Sequence, residues 1–93
     1  MTSIEQTLAE RGNCYGTFED NAAVSQGLED VLRATKGWAR LTYRQKESLS
    51  MCVHKMSRIV NGDAYHEDSW RDIAGYATLA QHEAEEHNAV AKS

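Results

Sequence analysis

Four residues in the second half of the chain have types and spacings that could do chemistry. Lys55 and Arg58 stand three positions apart, and Asp68 and Asp72 stand four apart. On a helix either spacing puts both side chains on one face, a turn apart. Two cations so placed can bind a phosphate or a carboxylate, the guanidinium through paired hydrogen bonds. Two carboxylates can approach a divalent cation, although two alone are a thin ligand set for magnesium. The same four residues can also pair with one another as structural ion pairs, with Asp68 doubling as a helix N-cap.

A second group surrounds Gly16. Arg11, Tyr15 and Phe18 lie within one short stretch, where the glycine allows a sharp turn. Tyr15 can stack on a base or contact a protein, or its ring can close the end of a helix bundle. Trp38, Tyr43 and Tyr65 are candidate aromatic anchors for a protein interface. Their plainer role is partial burial at helix ends. His54, His66, His82 and His87 form no zinc-type spacing with each other or with cysteine, so no metal ligands are assigned. Cys14 and Cys52 lack metal or redox spacing and read as reduced thiols. Neither a nucleophile–histidine–acid set nor a glycine-rich phosphate loop can be assembled. No catalytic residue is therefore assigned, no cofactor is expected, and the residues leave the enzyme question open while leaning toward a non-enzyme.

Positioning these groups requires helices. Ser3 can cap a first helix with Gln6 as return partner, and Gly12 is expected to end it. Thr17 caps a second, from about Phe18 to Thr35, with the apolar stripe Val24, Leu28, Val31 and Leu32. Gly27 beside that stripe suggests close packing against a neighbour. After a short connector holding Trp38, Ala39 and Leu41, Thr42 and Gln45 form a capping box for the third helix. Its face is Leu49, Cys52, Val53, Met56, Ile59 and Val60, and Asn61-Gly62 ends it. Asp68 or Ser69 is expected to cap the fourth, with Trp70, Ile73, Ala74, Ala77 and Ala80 inward. Residues 82–93 are polar and alanine-rich, suited to an assembly helix or a frayed end. The expectation is an all-α, up-down bundle of about four helices, one domain over 1–93, and oligomeric.

Composition narrows the partners. The chain has 93 residues, a single-domain length whose core is modest. The net charge of −4 disfavours non-specific nucleic-acid binding, which needs a basic surface. No apolar run is long enough to cross a membrane, and the first ten residues lack the pattern of a secretory signal. Cytoplasmic placement without membrane contact is the expectation. The absence of proline suits a chain made mostly of helix.

Three phrases together carry a resemblance. Arg11-x-x-x-Tyr15-Gly16-x-Phe18 comes first, then Lys55-x-x-Arg58-Ile59-x-x-Gly62. The third is Asp68-Ser69-Trp70-x-Asp72-Ile73-Ala74-Gly75-Tyr76-Ala77. In this order the chain resembles a family of similarly short proteins of unknown function from tailed phages and prophages. The resemblance implies a phage origin, hence the host cytoplasm, and no stated activity. A more distant likeness is to all-α nucleotide pyrophosphohydrolases of the MazG type. These use magnesium held by acidic pairs on successive helices. Here Lys55 and Arg58 stand where such a pair would be, and the only E-x-x-E, Glu83 to Glu86, follows the aspartates instead.

The leading functional expectation is a phage accessory protein that acts by non-catalytic binding to a host defence or metabolic protein. The first alternative binds or sequesters a nucleotide through Tyr15, Lys55 and Arg58, with Asp68 and Asp72 nearby. The second is a metal-dependent nucleoside triphosphate pyrophosphohydrolase, which alone would use magnesium.

Overall fold

A computed structural model describes residues 3–92. It contains four α-helices and a short 3-10 turn, with no strand among the described residues. α1 spans Ile4–Tyr15, α2 Phe18–Arg33, α3 Tyr43–Asn61 and α4 Glu67–Lys92, with the 3-10 turn at Trp38–Arg40.

The caps follow local chemistry. Ser3 Oγ accepts from the Gln6 amide and Thr17 Oγ1 from the Asp20 amide. At α3 the box is reciprocal: Thr42 Oγ1 accepts from the Gln45 amide, and Gln45 Oε1 accepts from the Thr42 amide. Two boundaries differ from expectation. Gly12 does not end α1. The helix runs on to Tyr15, and Gly16 stops it at φ 84°, its amide donating back to the Gly12 carbonyl. Neither Asp68 nor Ser69 caps α4, which already begins at Glu67. Ser69 is buried inside it, and Asp68 pairs with Arg71. The expected C-terminal segment is helical through Lys92, and Ser93 lies outside the described residues.

α3 is the central strut. Ser25 donates to Ser57, and Asn61 donates to Asn21, which sets α2 antiparallel to α3. Lys55 meets Asp72, and Thr42 donates to Glu83, which sets α4 antiparallel on the other side. α2 and α4 make no extensive contact with each other, and α1 packs only lightly on α3. The result is a small all-helical bundle of an open kind, with α2, α3 and α4 forming one layer.

That openness overturns the expected core. Val53 is the only buried apolar side chain among the described residues. The other buried side chains are Ser25, Glu29, Ser48, Ser57, Ser69 and Glu83. Val31 and Val60, expected inward, are 67% and 69% exposed, and Leu28, Leu49, Met56 and Trp70 are also exposed. The physical reason is that a single layer offers each helix only its neighbours' edges. Small hydroxyls fill the α2–α3 seam at close approach, and part of each apolar stripe is left facing outward. Gly27 meets nothing within 4 Å, so close packing does not explain it. No helix of the described residues is long and apolar enough to cross a membrane.

Candidate functional site

Four helix ends meet at Tyr15. Its carbonyl accepts from Asn21 Nδ2 at 2.8 Å, and Asn21 is held in turn by Asn61. The following residue, Gly16, lies so close to Asn61 that a Cβ there would sit 2.6 Å from the Asn61 carbonyl oxygen. Gly62 abuts the Cys14 and Tyr15 backbone in the same way, leaving no room for a side chain. The Asp63 amide donates to the Cys14 carbonyl. These contacts weld the end of α1 to the end of α3 and fix the direction of the tyrosine.

The ring then lies among polar groups. The Arg58 guanidinium stands 4.8 Å from its centroid and that of Arg11 5.5 Å, both within cation–π range. His66 meets the ring edge-on at 5.3 Å, with its Nε2 3.5 Å from the phenol oxygen. Among the described residues neither Arg11 nor Arg58 has a carboxylate partner, although six ion pairs form elsewhere. Both arginines line a cavity of about 620 Å³ between α1, α2 and α3, with Leu8, Phe18 and Ala22 on its apolar side and His54 and Ser57 on its polar side. That volume suits a small organic ligand.

The expected cluster therefore separates into parts. Tyr15 and Arg58 come together at this cavity. Lys55 turns the other way, to Asp72 at 2.9 Å, with its side chain largely buried. Asp68 binds Arg71 at 2.9 Å and lies 3.8 Å from His66, a pairing that is ionic only when the imidazole is protonated. No three of His, Cys, Asp and Glu converge on a common point among the described residues. Tyr43 and Tyr65 are each 91% exposed, but they stand at opposite ends of α3. Trp38 is half-buried. Cys14 and Cys52 are free thiols, and burial pushes the Cys52 pKa up.

Of three further features, Arg11 was expected beside Tyr15, and His54 and Glu83 were not anticipated as site elements. Arg11 and His54 line the cavity, and Glu83 is a buried carboxylate held by Thr42 and by Arg44 at 3.2 Å. Arg11 and Tyr15 had a signal in their four-residue spacing, which puts them on one face of α1. Glu83 shares a heptad-like register with Ser69 and Tyr76, the face of α4 against α3.

A family profile described as a domain of unknown function, DUF6378, matches residues 2–84. The chain belongs to this family. The DUF6378 span takes in the Tyr15 junction, the cavity and the α3–α4 seam up to Glu83, and leaves out the last turns of α4. Comparison with curated proteins and with solved structures finds no match.

Proposed function

We propose that the protein is a non-catalytic binding protein whose cavity between α1, α2 and α3 takes a nucleotide. One observation carries this reading: two arginines without carboxylate partners among the described residues flank one aromatic ring in a cavity with an apolar wall. Guanidinium groups bind phosphate oxygens in pairs, and an aromatic or apolar wall accepts the flat face of a base. His54 adds a polar contact on the α3 side. Under the phage resemblance, such a protein is an accessory in the host cytoplasm that sequesters a nucleotide or a nucleotide signal.

The alternative of a host-protein partner draws support from the exposed rings of Tyr43 and Tyr65. Their separation by the length of α3, about 28 Å for a helix of 19 residues, denies them a common patch. Pyrophosphohydrolysis draws the least support. Two-metal chemistry needs convergent carboxylates, and Asp68 and Asp72 are each engaged by a cation.

Titration calorimetry with ATP, AMP and inorganic phosphate, each with and without magnesium, tests the reading. Nucleotide is expected to bind and inorganic phosphate to bind far more weakly. Arg58→Ala should raise Kd by about tenfold or more, the worth of one charge-assisted contact, while the chain stays folded. Absence of heat with every nucleotide at millimolar concentration would sink the proposal. Pyrophosphate release with magnesium would replace it by the hydrolase reading.

A further inference from the structure

The open layer has two faces, and the cavity occupies only one. Because α2 and α4 both run antiparallel to α3, helical rotation of about 100° per residue assigns the apolar stripes to a common side. On α3, Ser57 points to α2 and Lys55 to α4, and Leu49, Met56 and Val60 fall between these directions. On α2, Leu28 and Val31 lie a quarter-turn from the Ser25 edge. On α4, Trp70 lies about 150° round the helix from the Asp72 and Glu83 edge, turned toward the same side. All six side chains are exposed, and none is charged. The arginine-lined cavity and α1 lie on the opposite face.

We infer that this apolar face is the interface with a second copy of the chain, packed layer on layer about a two-fold axis passing near α3. This goes beyond the ligand reading and does not depend on it. The amount of surface argues for an obligate partner. The chain exposes 7062 Å². A compact monomer of 10.4 kDa exposes about 5,400 Å², so roughly 1,700 Å² is in excess. Obligate dimers bury roughly 1,000–2,500 Å² per partner, a range that contains this excess. The radius of gyration is 16.3 Å, where a compact chain of this length has about 12 Å.

Stability argues for the identity of the occupant. A helical layer is stable only when its apolar face is covered by another layer. With one buried apolar side chain among the described residues, the cover is needed whenever the chain is folded, and a second copy is the partner always present. An uncharged stripe at the centre is typical of homodimer cores. A two-fold axis at the central helix lets α3 meet its counterpart, with each α2 and α4 closing the sides.

Light scattering on the full chain should give about twice the 10.4 kDa chain mass, or another even multiple, at micromolar concentration. A tenfold rise in protein concentration should raise Tm by about 3 °C. Met56→Glu, at the centre of the face, should yield a monomer or unfold the chain. The milder Met56→Ala should weaken association at least about tenfold, a loss expected for a buried side chain. Tyr65→Ala, off the face, should leave the mass unchanged. A folded species at the chain mass with a concentration-independent Tm overturns the inference. So does an odd multiple, or an oligomer that Met56→Ala leaves as tight as before.

Discussion

The two faces of the α2–α3–α4 layer are unfinished in opposite ways. One presents charge without a partner, the arginines around Tyr15. The other presents apolar surface without a cover, centred on Leu49, Met56 and Val60. Between them the seams are finished. Hydroxyls meet across α2–α3, and ion pairs bind α3 to α4 at both ends. The contrast teaches that internal packing here sets the spacing of the helices, while each face is left open in its own way. A layer one helix thick also lets the faces vary independently.

The largest expected effect comes from the glycine that welds α1 to α3. Gly62→Ala puts a Cβ into the Cys14 and Tyr15 backbone, which cannot yield as a side-chain end would. Overpacking of this kind costs about 3 kcal/mol, to be read by urea denaturation. The loss should fall on the charged face, abolishing nucleotide binding while self-association persists in the folded fraction. A smaller effect separates the seam from the site. Lys55→Met keeps the aliphatic stem and removes the ammonium from Asp72. It should cost about 1 kcal/mol, because the aspartate is half exposed, and leave nucleotide affinity within about twofold. A tenfold loss of affinity would instead put Lys55 in the site and merge seam with face. The smallest effect has the opposite sign. Gly27 lies in mid-helix and meets nothing within 4 Å. Gly27→Ala should raise stability by about 0.5–1 kcal/mol and alter neither ligand binding nor mass.

Local chemistry was legible in the sequence. Ser3, Thr17 and Thr42 announced three helix starts, and Asn61-Gly62 announced the end of α3. These signals act within a turn of the chain, so reading them needs no tertiary knowledge. The apolar stripes were also legible as stripes, Leu49 to Val60 most clearly. What they face was not, because periodicity gives the direction of a face and says nothing of what covers it. The same limit hid the division of the charged residues. Lys55 and Arg58 share a spacing, yet one turns to α4 and the other to α1, a choice made by the positions of neighbouring helices. Gly12 misled for a related reason. Glycine can end a helix at any position, and here the decision fell to Gly16, where Asn61 approaches too closely for any other residue.

α1 holds the Arg11 side of the cavity, but none of its residues is buried and it is fastened through its last turn. A helix of 12 residues is too short to persist in water unaided. Its opening therefore belongs to the low-energy end of local unfolding, and a ligand that bridges Arg11 and Arg58 must draw on the fraction of molecules in which α1 is formed. The observed dissociation constant is then the intrinsic one divided by that fraction. Residues between Ile4 and Glu10 that never touch the proposed ligand can thus set its affinity through helix propensity alone, giving the proposed site an adjustable gain outside its own contacts.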